Sequence, residues 1–174
     1  DEAPGATLYL ANPQSGADLL VTVQWMASQG VQVINHSVGW MWTGPGDGTS
    51  EYPDSPLATV DRAVAGGITW VNAAGNQAEA NWSGTYRDTN GDNVLEFAAG
   101  GIDVNGVAAV AGQSIDLMLR WDDSWGGADR DLDLFLLDSF ANVLAVSQEQ
   151  QSGGGGDIPL EILSYVPYQN GTLY

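Results

Sequence analysis

The sequence predicts an α/β region followed by an all-β region: a parallel-sheet βαβαβ unit over residues 1–82, then an antiparallel, jelly-roll-like β-sandwich over residues 83–174. Three observations carry this. Up to Asn81, short apolar and β-branched runs alternate with stretches of helical periodicity, joined by short links. Beyond Asn81 the helical period disappears and period-two alternation replaces it. Turn-forming residues then break the chain at short intervals, most plainly in SGGGGD at 152–157.

Residues 7–11 (TLYLA) read as the first strand. Ser15 is an N-cap before a helix whose buried face holds Leu19, Val23 and Met26, with Leu20 and Ala27 beside them. Gly30 ends it, because glycine enters the left-handed conformation freely. Residues 31–35 (VQVIN) form the second strand, from which His36, Ser37, Val38 and Gly39 lead away. Residues 44–50 (GPGDGTS) are loop by composition. Ser55 followed by Pro56 is a specific helix start, since a hydroxyl satisfies first-turn N–H groups and proline lacks one to satisfy. Leu57, Val60 and Val64 are the expected buried stripe, with Gly66 and Gly67 as the stop. Residues 68–72 (ITWVN) then make the third strand. Such an order implies parallel strands joined by right-handed crossovers. In the second region Ile115, Leu117, Leu119 and Trp121 share one strand face while Asp116 and Arg120 point away; Leu132, Leu134 and Leu136 repeat the pattern. Residues 143–147 and 160–166 supply further strands.

The chain carries 22 acidic residues against four arginines and no lysine, a formal net charge of -18. That argues against nucleic-acid backbones and anionic membrane surfaces as partners, because both require basic patches. Cations, cationic substrates or a salty medium suit it better. With no cysteine, disulfides, thiolate metal sites and a cysteine nucleophile are excluded. No signal peptide and no apolar run long enough to span a bilayer is present. The strand-like ends, DEAPGATLYLA and NGTLY, suggest a piece of a longer protein.

Chemistry concentrates where the strand at 68–72 runs into Ala73, Ala74, Gly75 and Asn76. An amide on rigid backbone at the open end of a buried strand can donate to a developing oxyanion. Taken with what precedes it, this stretch has a family likeness. The runs WMASQGVQVINHSVG and SPLATVDRAVAGGITWVNAAGN, entered through APGATLYLA, resemble the central portion of the subtilisin-like serine proteases (subtilases) over roughly residues 3–80. The resemblance implies a secreted or cell-surface, bacterial endopeptidase acting on polypeptides. In it Ser37, Val38 and Gly39 match the segment whose backbone pairs with extended substrate. Ala74 and Gly75 resemble the wall of the pocket for the residue before the cut bond, and Asn76 matches the oxyanion-hole asparagine. The family also needs an Asp, a His and a Ser in that order, and none is in place here. His36 stands where the family has an apolar residue and is expected to be packed and hydrogen-bonded. Gly48, Thr49 and Ser50 mimic the serine motif but precede Asn76. The piece alone is therefore expected to be inactive. The second region, with SIDLMLRWDD and DRDLDLFLLD, resembles the pre-peptidase C-terminal-like β-sandwich domains of bacterial proteases, here as an insertion.

Other residues admit two readings. Asp88, Asn90, Asp92 and Glu96 alternate as oxygen ligands do in calcium loops, with Gly91 and Asn93 able to make the tight turn; a solvated turn fits equally. Asp122, Asp123, Asp129, Asp131 and Asp133 crowd negative charge that Ca2+, or Arg120 and Arg130, would neutralise. Asp122 with Asp123, or Asp131 with Asp133, could be nominated as a glycosidase pair, although neighbouring strand residues face opposite ways. A non-catalytic module binding calcium, peptide or carbohydrate on a protease-like scaffold is the alternative to the enzyme.

Overall fold

The computed structural model describes residues 3–40, 43–45, 49, 55–76 and 80–174. The chain divides into two compact units, Asp1–Ala78 and Glu79–Tyr174.

Capping chemistry sets the helix boundaries of the first unit. Ser15 holds extended backbone and its hydroxyl accepts the N–H of Asp18 at 3.1 Å, starting α1 (Gly16–Ser28). Gly30, at φ +77, closes the helix in the left-handed region. Ser55 does the same for α2 (Pro56–Ala65) through the N–H of Ala58 at 3.1 Å, with proline in the first turn. Gly66 caps its end, and Gly67 at φ +88 turns the chain out. Each helix delivers the chain into a strand: β1 (Val33–His36) follows α1 and β2 (Thr69–Asn72) follows α2. The two strands pair in parallel, with Ile34 opposite Trp70 and His36 opposite Asn72. Leu19, Val23, Ile34, Ala63 and Ile68 form the core, and Met26, Val31, Trp40 and Trp70 pack against it. Full burial of an aliphatic side chain of this kind contributes roughly 1.5–3 kcal/mol.

Three expectations need correction. Residues 7–11 are not a strand: among the described residues they pair with no other strand, Leu8 and Leu10 stay exposed, and Tyr9 is anchored edge-on to the Trp25 ring. The expected βαβαβ unit is therefore an αβαβ arrangement with a two-stranded sheet among the described residues. The face of α2 is rotated as well. Thr59 and Ala63 are buried, whereas Leu57 and Val60 are half-buried and Val64 is exposed. Small side chains let α2 approach α1 and β2 closely, at the cost of leaving the Thr59 hydroxyl buried without a hydrogen-bond partner. Lastly, His36 ends β1 instead of leaving it, and residues 31–32 lie before the strand.

In the second unit β3 (Val107–Ala109) pairs with β8 (Gly171–Leu173), β4 (Ile115–Arg120) with β7 (Leu160–Tyr165), and β5 (Leu134–Leu137) with β6 (Val143–Ser147), all antiparallel. Along β4 the expected alternation holds: Ile115, Leu117 and Leu119 are half-buried and Asp116, Met118 and Arg120 exposed. Trp121 and Leu132 lie just outside their strands. Leu136, Leu163 and Leu160 are buried. Glu161, opposite Leu119, is the exception on this apolar face, at 1 % exposure. Its carboxylate accepts the Ser147 hydroxyl of β6, the Glu149 N–H at 2.9 Å and the Gln151 side-chain amide at 3.0 Å. A buried carboxylate needs such a set of donors to be tolerable. No helix among the described residues is long and apolar enough to cross a membrane.

Candidate functional site

The parallel register of β1 and β2 sets the geometry of the site. With His36 opposite Asn72, the N–H of Ala73 donates to the His36 carbonyl at 3.1 Å, so the ladder ends there for both strands. Ser37, Val38 and Gly39 leave one strand end, and Ala74, Gly75 and Asn76 leave its neighbour; all six are exposed. Ligands gather at this carboxyl edge in open α/β sheets. Gly75, at φ +91, has a backbone that L side chains rarely adopt, and it turns the chain immediately before Asn76. Below this edge lies an open cleft of about 440 Å³, bounded by Val38, Trp40, Trp70, Leu57 and Val60 among others.

His36 is 7 % exposed and held from both ring nitrogens. The indole N–H of Trp40 donates to Nε2 at 3.0 Å, and Nδ1 lies 2.8 Å from Oδ1 of Asn72. The Asn72 amide nitrogen in turn donates to the Ala73 carbonyl at 2.9 Å. The imidazole lies nearly coplanar with the Trp40 ring, centres 6.2 Å apart, and is tilted against Trp70 at 5.3 Å. As expected from the sequence, this histidine is packed and hydrogen-bonded. Trp40 and Asn72 were not legible as its partners: one is four residues away in an irregular segment, the other on a different strand. Of the Gly48, Thr49 and Ser50 mimic, Gly48 and Ser50 lie outside the described residues.

In the second unit the calcium-like loop is a tightly bonded turn. Asp88 accepts the N–H groups of Gly91, Asp92 and Asn93 at 2.6, 3.2 and 3.0 Å, with Gly91 and Asn93 in the left-handed region. The Asn90 amide donates to Asp92 at 2.8 Å, and buried Glu96 accepts the Thr89 N–H at 2.8 Å as well as its hydroxyl. Asp103, remote in sequence and missed there, has its Oδ1 buried with no hydrogen-bond partner. Desolvation first, then the charges of Asp92, Glu96 and Asp88, raise its pKa above the ordinary 3.8. Among the described residues no three or more His, Cys, Asp or Glu are placed to hold a metal ion together.

The second acidic group shapes loops. Asp123 accepts the N–H groups of Ser124, Asp129 and Arg130 at 2.7, 3.1 and 3.0 Å. Those bonds, that of Arg130 foremost, hold its carboxyl below the usual range. Asp131 accepts the Gln151 N–H at 3.1 Å and Asp133 the Gln148 amide at 2.8 Å, while the Arg130 guanidinium donates to the Asp122 main-chain oxygen at 3.2 Å. Trp125 is buried, as a packing residue should be.

The parallel strands thus end in an exposed Ser-Val-Gly segment and an exposed Ala-Gly-Asn turn, at the carboxyl edge of an α/β unit. The Subtilase family matches residues 2–153, most of the sequence, and the chain belongs to that family. The match continues past the division between the two units. No curated protein and no solved structure matches the chain. Membership makes this a subtilase-like serine protease sequence, with polypeptide as the substrate class.

Proposed function

We propose that this chain supplies the substrate-binding edge and one transition-state donor of a secreted bacterial serine endopeptidase. The observation that supports the reading is the parallel His36–Asn72 register, which releases Ser37, Val38 and Gly39 beside Ala74, Gly75 and Asn76. On this reading the main chain of 37–39 pairs with an extended peptide, and Ala74 and Gly75 wall the pocket for the residue before the scissile bond. As the serine of the complete protease attacks the carbonyl carbon, the Asn76 amide donates to the oxygen that becomes negative. His36, the chain's one histidine, cannot be the general base, because Nε2 already accepts the Trp40 N–H and the ring is shut away. Base and nucleophile must come from other segments, and the chain alone is inactive. The second unit is then a sandwich-type insertion between the oxyanion asparagine and the serine.

In the complete protease, Asn76→Ala lowers kcat by roughly 10²–10³-fold with KM nearly unchanged; an unaltered rate removes this role. The competing reading, a module that binds without cutting, draws support from the same engaged histidine. Asp-Thr-Gly and His-Gly-Thr motifs upstream with Gly-Thr-Ser downstream favour the enzyme, and their absence the module. Secretion is part of the proposal, and the culture medium of the source cells is where the protease should be recovered.

Calcium is proposed for the loop of Asp88, Asn90, Asp92 and Glu96, supported by the unpartnered Asp103 oxygen that an ion would satisfy. Binding would require these carboxylates to turn from their present donors toward a common centre. Calorimetry before and after chelation tests it: absence of heat and of any melting shift ends the idea.

A further inference from the structure

Resting on the endopeptidase reading, one set of bonds at the site goes beyond it. An indole N–H can only donate, so the nitrogen of His36 that faces Trp40 must offer a lone pair. A neutral imidazole carries one proton, which is therefore on Nδ1 and is given to Oδ1 of Asn72. The orientation of that amide is determined independently, because its nitrogen must be the atom that donates to the Ala73 carbonyl. Every donor thus points the same way: Trp40 to His36, His36 to Asn72, Asn72 to Ala73. The path starts one residue after Ser37–Val38–Gly39, crosses through the residue just before it, and ends three residues short of Asn76. Reversing any one link would set two donors, or two lone pairs, face to face.

We infer that Trp40, His36 and Asn72 are positioning residues, a one-way hydrogen-bond clamp that closes around the peptide-pairing segment 37–39 and ties it to the strand end carrying Asn76. An apolar residue at position 36 could fill the same space, but it could neither accept the Trp40 N–H nor donate to Oδ1 of Asn72. The ring of Trp40, nearly coplanar with the imidazole (6° between planes), also bounds the cleft next to Val38. Loss of the clamp should loosen the grip on extended peptide and leave the Asn76 donor in place.

The first test uses the unaltered chain. Long-range nitrogen–proton NMR on the imidazole should find a protonated Nδ1 and a bare Nε2; an Nε2–H form, or an even mixture of both, overturns the clamp. The second is kinetic, in the complete protease with a tetrapeptide p-nitroanilide. Trp40→Phe keeps an aromatic face, though a smaller one, and deletes the single donor. It should raise KM roughly tenfold with kcat within about twofold, while Oδ1 of Asn72 still holds the proton on Nδ1 of His36. An unchanged KM, or a loss confined to kcat, defeats the inference. Asn76→Ala is the control: if it leaves kcat untouched, the endopeptidase reading fails whatever Trp40 does. If kcat falls there while Trp40→Phe is silent, only the clamp fails.

Discussion

In the first unit Ser37, Val38, Gly39, Ala74, Gly75 and Asn76 stand exposed beyond the strand ends, over an apolar core with helices capped by two serines. In the second, carboxylates are turned inward on their own loops. Asp138 accepts two main-chain N–H groups and the Asn142 amide, and Asp157 accepts the N–H groups of Ser152 and Gly154. The acidic side chains that dominate the charge therefore mark turn architecture in one unit, while the proposed chemistry of the other depends on neutral amides and small residues.

That contrast can be broken experimentally. The largest effect should come from Leu19→Ala, which deletes the least exposed member of the apolar cluster in the first unit: about 2–5 kcal/mol in denaturant melts. A much smaller loss would mean that this unit is not held by its core. Glu161→Ala comes next, at on the order of 1–3 kcal/mol, because Ser147, Glu149 and Gln151 lose a shared buried acceptor. If it were neutral, the polar network in the second unit would be incidental. Ser55→Ala, removing one cap, should cost about 1 kcal/mol.

Acid titration gives the subtlest contrast. Asp123, Asp138 and Asp157 all have pKa values below the ordinary 3.8, through bonds led respectively by the Arg130 N–H, the Asn142 side chain and the Ser152 N–H. A depressed carboxyl pKa stabilises the fold at pH above the unfolded value, and that contribution disappears as pH falls through the folded one. Strand signals of the second unit should hold down to about pH 4 and weaken below it. Among the described residues the first unit's β1–β2 pairing has no such carboxylate, and circular dichroism with residue-resolved NMR would separate the two. Equal weakening in both units would erase the distinction.

Helix limits were legible because a cap is decided within four residues: Ser15, Ser55 with Pro56, Gly30 and Gly67 act through their immediate neighbours. The parallel pairing followed from the alternation of helix and strand joined by short links. What escaped depends on distant partners. A strand needs another strand, so residues 7–11 could not be judged from their own apolar pattern. Which face of α2 is buried depends on how closely α1 approaches, and the answer was Thr59 and Ala63 in place of the bulkier Leu57 and Val64. Asp103 joins the field of Asp88, Asp92 and Glu96 through folding, as Trp40 and Asn72 join His36. The positions of Ser37 and Asn76 were legible for the opposite reason, each being the continuation of a strand that its own sequence defines.

The exposure of Leu8 and Leu10, at 84 % and 93 %, bears on how solutions of this protein behave. Two bare aliphatic side chains on an unpaired segment are adhesive, yet every copy carries a net charge of -18 and repels its neighbours. At low ionic strength that mutual repulsion should keep copies dispersed. Added salt shortens its reach to about 8 Å at 0.15 M and 3 Å at 1 M, letting the leucines meet, so light scattering should climb with sodium chloride and stay flat when both are replaced by serine.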